Sequence, residues 1–595
     1  MLAATPGVRA DMTRCPNNHQ NVNQTEATLM DIPRYALIAA SALLGLMLLG
    51  EWTRFTAEEQ ALLPQSPIVE SIATDAATSL PEGNLTARDA PVQDDLPSEE
   101  DLAGSPGGDP YLEAATSRGS LVSVTTDVLD LVIDLEGGDV VGAAFRDYPK
   151  TLEDPSDPFV LLERNSQRTY VAQSGLVGPD GIDQVKRARY QSDRTAYALD
   201  DTESMIVELR HENSDSEIEV IKRFRFTRGS HSIVIDHDIK NRSSNAAQLT
   251  PFAQLKRDSS PAPSDNNSGM GMRPFLGSAL THTEQRFEKF DFEEMAESPF
   301  KADLQGGWVA MLQHYFVSAW VPSAEETHRF RTRHTSNGFN IIGYTGPALS
   351  IAPGESATVT STLYVGPKNQ AVLSDLAPHL DLVVDYGWLW WIAQPLFWLL
   401  TLIQSVVINW GVAIIILTLL VKLAFFQLSA AGYKSMARMR KVQPRIVAIR
   451  DEYANDKAKQ SQAMMELYKK EKINPLGGCF PILVQMPVFI ALYWVLMESV
   501  ELRQAPFALW IEDLSMMDPY FVLPILMGAS MYYMQKLNPP PPDPMQAKIM
   551  QWMPIVFTFF FLWFPAGLVL YWLCNNLLSM AQQYVINRRI EAGSL

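Results

Sequence analysis

Trp410-Gly-Val-Ala-Ile-Ile-Ile-Leu-Thr-Leu-Leu-Val-Lys-Leu-Ala-Phe-Phe-Gln-Leu-Ser429 decides the class of this chain. The run is apolar and long enough to cross a bilayer, which takes ~20 residues. Its one charge, Lys422, sits well inside it. A lysine at the centre of a membrane helix costs about 2.5–3.5 kcal/mol on insertion scales. Trp410 and Lys434 bracket it at twelve residues on either side, roughly 18 Å at 1.5 Å per residue, beyond the reach of a lysine side chain. Two readings fit. In one, Lys422 faces a polar, hydrated cavity within a helical bundle and marks a functional site. In the other it is a buried lysine satisfied by a neighbouring carbonyl or hydroxyl, with Thr418 one turn away as the candidate partner.

Working outward, the chain has 595 residues and a net charge of −19, unevenly placed. Its middle is acidic, whereas the loops between the later apolar runs are basic. This points to an exported acidic domain on a membrane anchor and away from direct nucleic-acid binding. The three cysteines, Cys15, Cys479 and Cys574, leave the middle region without a disulfide. Cys479 and Cys574 read as small buried hydrophobes rather than metal ligands.

Residues 1–29 are polar and aperiodic and read as either an extension before the true start at Met30 or a disordered tail. Residues 30–55, with the apolar run Tyr35 to Gly50, read as an uncleaved anchor because no small-x-small site follows. Residues 56–118, rich in Asp, Glu, Pro, Ser and Ala, read as a disordered linker. From Ser120 the pattern is β. Leu129-Asp-Leu-Val-Ile-Asp-Leu135 alternates with period two, Glu136-Gly-Gly-Asp139 supplies a turn, and Ile218–Phe226 and Ser232–Ile239 flank a hairpin turn at 227–230. An antiparallel sandwich over 119–370 is expected. Its histidines are scattered without ligand spacing, so no catalytic or metal centre and no cofactor is expected there.

Tyr386 to Trp398 is an aromatic belt of the kind found where bilayer meets water. It reads as an interfacial helix within 380–405, ending near Pro395. The insertion of basic residues after the Lys422 run, in 431–475, marks a cytoplasmic loop. Helical periodicity there falls in two parts, 434–453 and 457–472, split at Ala-Asn-Asp and stopped by Asn474-Pro475. In this hairpin, Met436, Met439, Met464 and Met465 beside Arg438 and Arg440 form either an adaptable sticky surface or the hairpin's own packing. Further spans are Phe480–Met497, Tyr520–Gln535, Ile549–Phe564 and Gly567–Ile586. Six spans with both ends inside keep every basic loop on one face. Around Lys422 the polar neighbours are Thr418, Gln427 and Ser429. Met486, Pro487, Phe489, Met553, Pro554, Phe557, Tyr571 and Trp572 offer either a greasy surface for an apolar segment or ordinary lipid-facing packing. No phosphate-binding loop GxxxxGK[ST] occurs. A fixed cation in a wet groove would lower the cost of moving a polar, acidic end of a protein segment into the bilayer. Burial of its apolar part, at ~25 cal/mol per Å², would drive the step without ATP.

Gly306-Gly-Trp-Val-Ala-Met-Leu-Gln313, His379-Leu-Asp-Leu-Val-Val-Asp-Tyr-Gly-Trp388, Asn474-Pro-Leu-Gly-Gly-Cys-Phe-Pro481, Gln485-Met-Pro487, Glu501-Leu-Arg-Gln-Ala-Pro-Phe-Ala-Leu-Trp510 and Trp563-Phe-Pro-Ala-Gly-Leu-Val-Leu-Tyr571 carry a resemblance. The chain closely resembles the YidC/Oxa1/Alb3 membrane protein insertases, in the form found in Gram-negative bacteria. The resemblance implies an α-helical polytopic inner-membrane protein of six transmembrane helices with a large periplasmic β-supersandwich. It further implies a five-helix core over 406–595, a cytoplasmic hairpin, and a groove open to cytoplasm and lipid. As partners it implies nascent membrane proteins, the Sec translocon, the lipid bilayer, the ribosome and the signal recognition particle pathway. The family's groove cation falls on Lys422, and Thr418 and Trp572 fall on client-facing positions. Gln427 stands where the family pattern has proline, so a straighter helix end is expected. The C-terminal tail lacks a long basic extension. Two other classes compete: a sugar-binding or enzymatic sandwich on an anchor, and a solute channel or transporter.

Overall fold

Leu129–Asp134 forms the strand that its alternation predicts: Leu129, Leu131 and Ile133 are buried while Asp130 and Val132 lie half-exposed on the other face. Asp134 is buried too, because Arg164 pairs with it. The computed structural model describes residues 120–184, 186–212, 217–262, 274–282, 286–471, 480–538 and 544–591. The expected extension 1–29, anchor 30–55 and linker 56–118 lie outside them, as do Cys15, Cys479, Asn474-Pro475 and the prolines Pro539 to Pro542.

Two largely antiparallel sheets of eleven and nine strands stack face to face. The first runs through Thr327–His334, Asn340–Thr345, Ala247–Arg257, Thr169–Val177 and Asp139–Pro149 to Leu121–Thr125. The second centres on Phe316–Val321, Ser356–Pro367, Ser232–Asn241 and Ile218–Thr227. The last two form the expected hairpin, with Val234 opposite Arg225 and the turn made by Gly229 at φ +70°. Between the sheets lie Val124, Phe145, Phe159, Phe224, Ile235, Phe316, Trp320 and Leu363, all fully buried, each contributing about 1.5–3 kcal/mol. The core also holds a charged seam. Arg187 donates to Asp139, to Asp183 at 2.7 Å and to the Ser174 carbonyl at 3.0 Å. Lys222, from the opposite sheet, donates to the carbonyls of Gly137 (3.1 Å) and Ser174 (2.9 Å). Burial holds the Lys222 amine down to about 7, although Asp139 pulls the other way.

Burial likewise lowers His328 to about 4 and His314 to about 3, and puts His237, which faces Lys222 and Arg187, well below the ordinary range. His237 and His328, with Glu326, Tyr344 and Thr360, line a cavity of about 20 Å³ between the sheets. All three imidazoles are neutral in the folded domain. Unfolded, they titrate near 6.5. The stability gained by keeping them neutral is therefore complete above pH 6.5 and is lost as pH falls below it, at about 1.4 kcal/mol per pH unit for each histidine, because the unfolded chain binds protons that the folded one does not. Scanning calorimetry is expected to show the sandwich transition moving down between pH 7.5 and 5, with His328→Gln flattening the slope. A slope unchanged by that substitution contradicts the assignment.

Two short helices, Phe292–Glu297 (α1) and Gln370–Leu376 (α2), adjoin the sheets. Eight more follow. Trp390–Val407 (α3) does not end near Pro395 as expected but runs through it. The proline forfeits one backbone bond, yet Ala393 and Leu400 on either side are fully buried in the helical core and hold the helix together. It stops where Ile408 turns left-handed, at φ +60°. Asn409 caps Trp410–Ala424 (α4), accepting from Val412 N at 3.0 Å. The quoted run is thus not one straight helix. It breaks at Phe425, and Phe426–Glu452 (α5) leaves at 68°. The straighter end expected from Gln427 is wrong: Phe425 donates to Val421 O at 3.1 Å and accepts from Ser429 N at 3.0 Å. One residue closes one helix and opens the next without a proline.

Lys457–Lys470 (α6) folds back on α5 through Val442, Ile446 and Leu467. Phe480–Glu498 (α7), Val522–Leu537 (α8), Pro544–Phe560 (α9) and Ala566–Glu591 (α10) complete the chain. A buried cluster containing Leu400, Ile414, Leu417, Leu492, Leu496, Met527, Phe561 and Leu568 joins α3, α4, α7, α8 and α10. Its outside is apolar as well: Trp391, Trp398, Leu419, Ile525, Trp552, Val556, Phe559 and Leu577 are exposed, a belt far larger than a water-facing surface carries. By length and apolarity, Gly387–Val407 is long enough to cross a bilayer, and the bent pair α4–α5 passes the same test jointly.

Candidate functional site

Lys422 sits in the last turn of α4 and is 8% exposed. Its ammonium donates to Ser579 Oγ at 2.7 Å, from α10, and to Gln485 Oε1 at 3.1 Å, from α7. Gln485 passes its own amide hydrogen to Asn575 Oδ1 at 2.6 Å, and Ser579 donates to Asn575 O at 2.6 Å. Among the described residues no carboxylate lies within ion-pair distance of Lys422. A lysine offers three donors, and two are engaged here by neutral acceptors. The polar side chains around the ammonium come from two helices, α7 and α10, packed against α4.

The other expected residues divide. Thr418 is buried, but its hydroxyl donates to Ile414 O at 2.6 Å and not to Lys422. Ser429 is buried beyond the bend, and Gln427 is exposed and is not among the partners of the ammonium. Phe489 meets Trp572 edge-on at 4.4 Å and stacks on buried Tyr571 at 6.1 Å, while Phe557 lies 6.3 Å from Trp572. These four form one aromatic group next to the polar one. Pro487 is half-buried, and Met486 and Met553 are exposed. In the hairpin, Met439 and Met464 pack onto the Val442–Leu467 contact, Met436 is half-buried, and Met465 and Arg438 are exposed. Arg440 donates to Leu537 O at 2.7 Å, the carbonyl that ends α8. Gln583 donates to Asn538 Oδ1 at 3.0 Å beside it.

Comparison with known proteins bears on this arrangement directly. Residues 121–399 match the family model described as the YidC periplasmic domain, and residues 402–593 match the one described as the 60Kd inner membrane protein. The membrane protein insertase YidC of Marinomonas sp. (strain MWYL1) is 52% identical over 94% of this chain and 100% of its own length.

The chain belongs to the YidC membrane protein insertase family.

The YidC insertase of Pseudomonas fluorescens (strain SBW25) is 50% identical, covering 95% of this chain and 99% of its own. A crystal structure of an active YidC insertase with its first transmembrane domain resolved aligns with 80% of this chain and 96% of that one, at 17% identity and a TM-score of 0.35. The chain is accordingly a membrane protein insertase of the inner membrane, with a β-sandwich periplasmic domain and a helical C-terminal region. Its clients are membrane proteins. Within this chain, the sequence reading of the site missed Gln485, Asn575 and Ser579, the groups around the cation. A signal was present: Asn575, Ser579 and Gln583 recur at four-residue spacing, a polar stripe along one face of an apolar helix. Attention to charged residues alone passes over it.

Proposed function

We propose that the Lys422 ammonium receives the polar, acidic end of an entering client segment, while Phe489, Phe557, Tyr571 and Trp572, with Met486, Pro487 and Met553, guide its apolar part into lipid. One observation carries this reading: the cation is buried among apolar helices and, among the described residues, is held by neutral amide and hydroxyl groups. A buried charge without a counter-charge stays unsatisfied electrostatically, so a client carboxylate finds a ready partner and a third N–H to accept. Thr418 and Ser429 line the polar side, and Gln427, exposed beyond the bend, takes no part in it. The gain from burying a client's apolar span makes ATP unnecessary.

The reading places six crossings in the membrane: residues 30–55, α4 with the start of α5, α7, α8, α9 and α10, with α3 lying at the interface and both termini cytoplasmic. In its favour, the 498–521 connection and the turn before α10 touch each other, Ala566 N donating to Met516 O at 2.7 Å, and the first of them contacts the periplasmic domain. The hairpin's Arg440 and the ends of α8 and α10 gather at the other pole. The basic hairpin, with Met436, Arg438 and Met465, faces the cytoplasm, where the ribosome or the signal recognition particle pathway would deliver clients, and the Sec translocon is a partner in the membrane. The protein acts on conformation and location, not as an enzyme.

Reconstitution tests this. Purified protein in liposomes, with no other protein and no nucleotide, is expected to insert a single-span client, and faster when its translocated tail carries acids than when those are amides. Equal rates for the two tails would remove the charge from the mechanism. In the same assay Arg440→Ala, which frees the hairpin from α8, is expected to slow insertion about threefold, the scale of one lost charge-assisted hydrogen bond; an unchanged rate would leave Arg440 a surface contact.

A further inference from the structure

The outer end of α7 is embedded in the β-sandwich. Met497 O accepts from His314 Nε2 at 2.8 Å. Since a carbonyl only accepts, that nitrogen carries the proton. Glu498 lies 3.8 Å from Lys368, both nearly buried. Val500, two residues on, is 3% exposed and belongs to the same core as Phe145 and Phe316. Arg503 then reaches into the domain. Its guanidinium donates to Pro149 O at 2.7 Å and Lys150 O at 3.3 Å, and lies over the rings of Phe159 (5.7 Å) and Phe316 (5.5 Å). Gln504 donates to the same Pro149 carbonyl at 3.0 Å from a left-handed backbone, φ +57°, which for a glutamine costs energy and persists only where surrounding contacts enforce it. Five consecutive attachments within eight residues are far more than a tether needs.

Glu498 and Gln485 are on the same helix, thirteen residues apart, roughly 20 Å along its axis. What holds one end of α7 thus sets the height and rotation of the amide that holds Lys422. We propose that the β-sandwich braces the helical core through Arg503, a positioning residue that fixes α7 and thereby keeps Gln485 on the Lys422 ammonium. This rests on the reading of Lys422 as the client site. The domain then contributes to insertion without touching a client.

The test uses the full chain in lipid nanodiscs, with Cys15, Cys479 and Cys574 replaced by serine and spin labels on cysteines introduced at the exposed positions Gln191 and Val585. Arg503→Ala is expected to broaden the measured distance distribution and to slow insertion of a single-span client roughly three- to tenfold, with the melting of the sandwich unchanged. Arg503→Lys, which keeps the charge but not the planar fork, falls between. If Arg503→Ala does not fold, Gln504→Ala removes one bond to the same carbonyl and shows both effects at smaller size. An unbroadened distribution, or a broadened one with wild-type insertion, overturns the brace. Lys422→Ala in the same preparation separates the two ideas: wild-type insertion there counts against the client site, while the distance measurement still reports on the joint.

Discussion

Lys422→Ala is expected to slow insertion of single-span clients with acidic translocated tails by roughly ten- to a hundredfold, the equivalent of losing one charged hydrogen bond of about 1.5–3 kcal/mol at the rate-limiting step. The fold should survive. The alanine leaves Gln485 and Ser579 without the ammonium, but Asn575 already engages both, so the polar group can close on itself. Removing a charge that has no counter-charge also relieves a desolvation cost. The variant is therefore expected to melt no lower than the parent in detergent, which separates a lost interaction from a lost structure. Lys422→Arg keeps the charge and should insert near the parental rate. Clients whose tails carry no acids should be affected least. Parental rates for acidic-tailed clients in Lys422→Ala would refute the charge mechanism outright.

Gly411→Val is expected to do the opposite, damaging the structure and through it the activity. Gly411 opens α4, and even a Cβ there would overlap the Phe507 ring. Phe507 has nowhere easy to go: its carbonyl accepts from Asn409 Nδ2 at 2.9 Å, and its N–H donates to Ile511 O at 3.0 Å. The valine therefore either expels the ring or tilts α4, the helix bearing Lys422. Overpacking of this kind costs about 1–3 kcal/mol or more, and a drop in melting temperature of the purified protein measures it. Gly411→Ala should give a smaller drop of the same sign; parental stability in both would mean that the loop yields freely.

Much of this was legible in the sequence because it is periodic. Leu129–Asp134 declared its buried face by alternation, the 218–241 hairpin by its turn, and α5 and α6 by two amphipathic stretches parted at Tyr453–Asp456. The cation itself was legible because charge in an apolar run is rare. Its surroundings were not. Ser579 and Gln485 lie 157 and 63 residues away, and only the packing of three helices joins them. Gln427 was near in sequence, yet it is not a partner of the ammonium: five residues along a helix is a rotation of about 140°, and the bend at Phe425 comes between. That bend depends on the backbone angles of one residue, φ −92° and ψ 12°, with no proline or glycine to announce it. The joint around Arg503 depends on a partner 354 residues distant, which no local pattern encodes.

An amide rather than an acid faces the ammonium at position 485. A carboxylate there would form a permanent internal pair and make every passenger compete with a resident rival of full charge. Glutamine holds the cation in place yet leaves its valence open. If passengers pair with Lys422 as proposed, a passenger's departure into lipid would leave the site at rest, with no proton to reload and no counter-ion to recapture.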